Sequence, residues 1–167
     1  MTDVNIRRAQ GDDLDTLLAI YNHFVQRTHI TFDVEPRTRE QRKVWLKGFS
    51  TGGRKQCFVA ERAGKAIGWA SSSPFKDRAA YDTSVETSIY LAPGEGGKGV
   101  GRKLYETLFE ALRGEDVHRA FGGIALPNEA SVRLHLALGF RHVGTYSEVG
   151  RKLGRFWDVA WYERAMV

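Results

Sequence analysis

The stretch Ala92-Pro-Gly-Glu-Gly-Gly-Lys-Gly-Val-Gly101 carries five glycines between Gly94 and Gly101, and no other feature constrains this chain as strongly. Upstream, Thr83 to Leu91 sets Val85, Thr87, Ile89 and Leu91 in alternation with Ser84, Glu86, Ser88 and Tyr90, the pattern of a strand with Glu86 on its more polar face. Downstream, Leu104, Leu108 and Leu112 recur at the spacing of one helical face. The chain therefore reads strand, glycine loop, helix. Such a loop lets the backbone approach a ligand closely, and the helix start behind it leaves several N–H groups free, which makes an anion site. Lys98, Arg102 and Lys103 add positive charge, so a phosphate group is the expected guest.

Exclusion narrows the kind of phosphate. A Walker loop needs Ser or Thr after Gly-Lys to hold magnesium, but Gly97-Lys98 is followed by Gly99. Gly94-x-Gly96-x-x-Gly99 matches the dinucleotide pattern, yet the next strand ends in Leu126-Pro127-Asn128 and offers no carboxylate for a ribose.

Around this unit the pattern alternates. Val4 to Arg8 reads as a strand, followed by a helix with Asp12 or Asp13 as its N-cap and Leu14, Leu17, Leu18 and Tyr21 on one face. An irregular connection from Gln26 to Thr38 leads to a second helix, Arg39 to Phe49, with Val44, Trp45 and Phe49 as its apolar residues. Gln56 to Glu61 and Ala66 to Ser73, joined by Arg62-Ala-Gly-Lys65, form an expected hairpin. After the glycine loop and its helix come a strand from Val117 to Leu126, a helix from Asn128 to Leu138, and closing strands from Arg141 to Val149 and Phe156 to Met166. The expected fold is α/β with a mixed sheet, about seven strands and four helices.

The chain has 167 residues, 42% of them hydrophobic, which suits a single domain over residues 1–167. No run approaches the roughly eighteen apolar residues of a membrane span, and the first residues lack a secretory segment, so a cytoplasmic protein without a membrane partner is expected. The net charge of +5 is scattered along the chain, which disfavours nucleic acid as a partner. Cys57, the lone cysteine, lies in an apolar run and reads as a small buried hydrophobe; no disulfide and no metal site is expected.

Gly96-Gly97-Lys98-Gly99-Val100-Gly101 resembles the pyrophosphate loop of the GCN5-related (GNAT) N-acetyltransferases, with Gly96 where that family usually carries Gln or Arg. The order of elements also fits that fold. Asn128-Glu-Ala-Ser-Val-Arg-Leu-His135 is similar to the family's helix beside the pantetheine arm, and Asn128, Ser131 and His135 share one ridge of it. The resemblance implies acetyl-CoA as cosubstrate, bound by Ile89, Tyr90 and Leu91, by Gly97, Lys98, Gly99, Val100, Gly101 and Arg102, and by Asn128. Where His135 stands the family commonly has a Tyr that returns a proton to the departing thiolate; a histidine can do the same or serve structure alone.

Four blocks look like the subgroup that acetylates phosphinothricin, methionine sulfoximine and methionine sulfone: Ala19–Asn22, Thr28–Thr38, Phe75–Tyr90 and Gly150–Asp158. This implies a homodimer and a small-molecule amine substrate bearing compact oxyanion or sulfoximine groups. Lys76, Asp77 and Arg78, with Glu86, Thr87 and Ser88, are the implied substrate contacts, Lys76 and Arg78 clamping an oxyanion; Ile30 and Phe32 are candidate pocket walls. An amine attacks a thioester only when neutral, and an α-amine with a pKa of about 8 is mostly charged at pH 7, so a base is required. Glu86 is the expected base. A protein N-terminus or lysine as acceptor, or a non-catalytic coenzyme A sensor, are the competing readings.

Overall fold

Short periodic segments become elements because each has a face to bury. The computed structural model describes residues 3–166 and holds one seven-stranded sheet. In chain order the elements are β1 (Asn5–Arg8), α1 (Leu14–Arg27), α2 (Arg39–Lys47), β2 (Cys57–Arg62), β3 (Lys65–Pro74), β4 (Ser84–Leu91), α3 (Val100–Leu112), β5 (Arg119–Ala125), α4 (Glu129–Ala137), β6 (Arg141–Lys152) and β7 (Arg155–Ala165). The strand order is β1-β2-β3-β4-β5-β7-β6, antiparallel throughout except for the parallel pair β4 and β5.

β2 is buried on both faces, and its alternation divides the interior into two cores. Phe58 and Ala60 join Leu104, Leu108 and Leu112 of α3 on one side; Cys57 and Val59 join Leu17 and Ile20 of α1, with Trp69, on the other. The α3 leucines are essentially inaccessible to solvent, and burying each contributes about 1.5–3 kcal/mol.

Three expectations are corrected. Asp13 holds the N-cap position of α1 but its side chain does not cap the helix: Gly11–Asp13 is a turn of 3-10 helix, and the buried Asp13 carboxylate instead accepts from the Gln10 amide and from both terminal nitrogens of Arg7, at 2.8 to 2.9 Å. A bidentate guanidinium partner outweighs a single cap bond. In α2 the expected apolar face is displaced, for Val44 is 73% exposed whereas Arg42, three residues before Trp45 on the same side, is buried. The final hairpin is also longer than its sequence pattern, because shifts between His142 and Gly144 and between Tyr146 and Gly150 interrupt the alternation.

Candidate active site

The site begins where two strands part. β4 pairs with β3 along its whole length, but with β5 only from Ser84 to Glu86. Beyond that, β5 stays with β7 as far as Ala125, so a wedge opens between Thr87–Leu91 and β5. The Ala92 amide donates to the Ile67 carbonyl on the β3 side, and since backbone groups alternate along a strand, the amides of Ile89 and Leu91 face the wedge. Thr87 marks its apex, its hydroxyl donating to the Phe121 carbonyl at 3.2 Å.

The glycine loop borders the outer end of this wedge. Gly97 and Gly99 have φ of 75° and 77°, a region that side-chain-bearing residues rarely adopt, and a Cβ at either would meet no protein atom within 4 Å. Gly99 precedes α3 with no side chain capping the first turn, so that turn's amides have no side-chain acceptor. A groove of about 590 Å³ runs from the loop to β4 and α4, lined by Leu91, Gly97, Gly99, Arg102, Asn128 and Leu134 among others. Val100 and Gly101 are buried, Gly101 against Leu134. Lys98 lies 3.5 Å from Glu95, and the Arg102 guanidinium donates to Glu106 at 2.7 Å; both cations sit at the surface beside the loop. Bare amides at one end and a narrow wedge at the other suit a ligand with a diphosphate and a slender arm.

Glu86 stands at the mouth of the wedge. It is half-buried, accepts no hydrogen bond and has no ion-pair partner among the described residues, and burial raises its pKa above the ordinary carboxylate range. Two cavities meet at it. One of about 250 Å³ includes Ile30, Phe32, Thr87, Ser88, Asn128 and His135. The other, about 550 Å³, includes Phe75, Lys76, Tyr146 and Trp161. Lys76 thus joins Glu86, its ammonium lying 5.1 Å from the Phe75 ring centre, whereas Asp77 and Arg78 are exposed and line neither cavity. Phe32 is held by close approach of Gly150, where a Cβ would sit 2.1 Å from its ring. Lys152, buried, donates to the Thr31 carbonyl at 2.7 Å and ties the same segment to β6.

Asn128 caps α4, its side-chain oxygen accepting from the Ser131 amide, and it borders both the groove and the 250 Å³ cavity. The ridge expected from Asn128, Ser131 and His135 turns inward at its far end, where His135 is only 2% exposed. Its Nδ1 donates to the Ser131 carbonyl at 2.8 Å; its Nε2 lies 3.3 Å from the Tyr105 hydroxyl and accepts from it in that tautomer. Burial lowers the His135 pKa, so the ring is neutral and its one N–H is committed. Tyr105 escaped the sequence reading. The available signal was a tyrosine beside Leu104 at the buried stripe of α3, where its hydroxyl needs a partner.

Residues 6–161 match the family model of an acetyltransferase (GNAT) domain. The chain is 54% identical over 166 residues to a phosphinothricin N-acetyltransferase of Streptomyces coelicolor, an alignment covering 98% of this chain and 97% of that protein. It is 31% identical over 159 residues to an L-methionine sulfoximine/L-methionine sulfone acetyltransferase of Pseudomonas paraeruginosa, covering 95% and 92%. A solved GNAT superfamily phosphinothricin acetyltransferase from Sinorhizobium meliloti, in complex with AcCoA, superimposes with a TM-score of 0.92 at 32% identity, over 99% of this chain and 89% of that one.

Proposed function

The chain belongs to the GNAT N-acetyltransferases and draws its acetyl group from acetyl-CoA, and from that premise we propose that, as one domain over its whole length, it acetylates the amine of a compact amino-acid-like acceptor. The acceptor is of the phosphinothricin, methionine sulfoximine or methionine sulfone type, the substrates named for its relatives. The reading is carried by Glu86, a half-buried carboxylate without a partner among the described residues, at the point where β4 leaves β5.

Glu86 accepts the ammonium proton, directly or through a water, and so generates the neutral amine that attacks the thioester carbonyl. A raised pKa suits this work, because a base nearer the operating pH takes the proton more readily; such a base contributes about 10²–10⁴ in rate. The amides of Ile89 and Leu91 donate to the carbonyl oxygen as negative charge builds there. Gly97, Gly99 and the first turn of α3 hold the diphosphate, with Lys98 and Arg102 as counter-charges and Asn128 beside the arm. Phe32 walls the acceptor, Thr87 and Ser88 line its seat, and Lys76 faces an oxyanion at the outer mouth; Asp77 and Arg78 act at most on its approach. His135 is a positioning residue rather than an acid, since its one N–H is bound to Ser131 and burial disfavours imidazolium. The departing sulfur takes its proton from water in the open groove.

Val143, Tyr146, Val149, Leu153 and Phe156 expose apolar surface on the β6–β7 hairpin at the sheet edge, and we assign that surface to a homodimer contact.

The test follows thiol release from acetyl-CoA with phosphinothricin, methionine sulfone, other amino acids and peptides as acceptors. Turnover with the amino acid analogues, at a higher kcat/KM than with any peptide, is expected. Preference for a peptide, or no acceptor-dependent thiol release, refutes the reading.

A further inference from the structure

Glu86 shares its sheet face with a row of polar side chains. The register sets Ser73 opposite Glu86, Ser71 opposite Ser88, and Trp69 opposite Tyr90. A separate cavity of about 400 Å³ lies along this row beneath α2, and Ser88 and Tyr90 line both it and the cavity beside Glu86.

Its charged side chains are Asp33, Arg37, Arg42 and Lys55. The first two satisfy each other, Arg37 gripping the Asp33 carboxylate with Nε at 2.8 Å and Nη2 at 2.7 Å. The others do not. Arg42 is 5% exposed, and its Nε and Nη2 are buried without a hydrogen-bond partner among the described residues. Its guanidinium lies 3.4 Å from the Trp45 ring centre and 4.7 Å from those of Tyr21 and Trp69. Lys55 is half-buried and has no carboxylate within ion-pair distance among the described residues.

Aromatic faces steady a cation but accept little from N–H groups aimed past them, and buried donors left unsatisfied are costly. Burial lowers the Arg42 pKa to about 10, which leaves the group cationic at neutral pH. The unpartnered edge, Nε with Nη2, is the edge by which Arg37 holds Asp33, and its two parallel donors match the two oxygens of a carboxylate or phosphinate.

We propose that this cavity is a subsite for a compact oxyanion, held side-on by Nε and Nη2 of Arg42 with Lys55 as the second cation. The identity of the occupant rests on the acetyltransferase reading above. Arg42 packs on Trp69, opposite Tyr90, four residues and about 13 Å along the strand from Glu86, so the oxyanion that extends into the cavity while the amine stays at Glu86 is a distal one, such as the side-chain phosphinate of phosphinothricin, and not the carboxylate beside the amine. A free small anion would meet the same chemistry.

The test compares the full chain with Arg42→Met, which keeps a long apolar side chain among the rings, and Arg42→Lys, which keeps the charge without the fork. Thermal shifts with inorganic phosphate are measured beside initial rates against phosphinothricin, whose distal phosphinate is the relevant group. With the glycine loop filled by saturating coenzyme A, phosphate should raise the Tm of wild type and not of R42M. The KM for phosphinothricin should rise about ten- to a hundredfold in R42M, and R42K should not restore it, as expected for loss of a charge-assisted bidentate contact. Without added anion, R42M should melt no lower than wild type, since it removes two unsatisfied donors. Phosphate that competes with phosphinothricin supports the acceptor's own oxyanion as occupant; phosphate that stabilises without competing supports a free anion in the same subsite. If wild type acetylates no amino acid analogue, the functional reading fails and the phosphate shift still decides the cavity. A lower Tm in R42M with an undiminished phosphate shift and unchanged KM overturns the proposal and leaves Arg42 as packing for the rings. Should R42M not fold, loss or retention of the phosphate shift in R42K decides.

Discussion

Replacing Glu86 by glutamine removes the proposed base while keeping the shape of the side chain. Two effects of opposite sign follow. The rate of acetyl transfer should fall by about 10²–10⁴, or ~3–5.5 kcal/mol of transition-state stabilisation, and the acid limb of the kcat/KM profile should vanish with it. In wild type that limb should lie above the ordinary glutamate pKa of about 4.3, because burial pushes Glu86 upward and no protein partner pulls it back. The same shift bears on stability. A group whose pKa is raised on folding stabilises the native state fully below its unfolded value, and that contribution is lost as pH rises through the folded value. At pH 7.5 the ionised Glu86 therefore strains the fold, and E86Q should melt higher, by about 2–4 °C for each kcal/mol relieved in a chain of this length. The gap should close towards pH 4. Stopped assays of thiol release from pH 5 to 9, with melting curves across the same range, measure both. A variant within about threefold of the wild-type rate, or one that melts lower at neutral pH, would refute the reasoning: a solvated surface carboxylate behaves that way.

Alanine at Gly99 forces a Cβ into left-handed backbone, at a cost of about 1–2 kcal/mol, and projects into the groove; the KM for acetyl-CoA should rise more than that for the acceptor. Tyr105→Phe leaves Nε2 of the buried His135 without its donor, so melting should report a loss of about 1–3 kcal/mol while the acid limb stays at its wild-type pH. Tyr146→Asp places a charge on the exposed apolar hairpin proposed as the dimer contact, and light scattering should show a dimer for wild type and a monomer for the variant.

What could be read from the sequence was what depends on neighbours along the chain. The strand ending at Leu91, the glycine loop and the leucine stripe of α3 are local patterns, and each element formed close to where its pattern lies. Glu86 was legible because alternation alone assigns its face. Residues whose meaning depends on distant partners were not. Arg42 looks like one more charge on a polar helix until Tyr21, Trp45 and Trp69 close around it. His135 looks like an accessible proton carrier until Gly122 and Tyr105 bury it. Lys152, in the Gly150–Asp158 block of subgroup likeness, reads as a surface cation, yet its reach across to the Thr31 carbonyl depends on how a hairpin folds back.

The wedge between β4 and β5 has one further implication. Elsewhere in a protein, strand amides without a neighbouring strand invite association with other chains, and here they lie inside the molecule, in a recess only a slim ligand can enter. The donors are main-chain atoms, so apart from proline no substitution at Ile89 or Leu91 deletes an N–H. The polarising apparatus proposed here survives mutational drift in the side chains around it, which leaves the proposed acceptor walls, Phe32 and Lys76 among them, free to diversify without loss of the transfer chemistry.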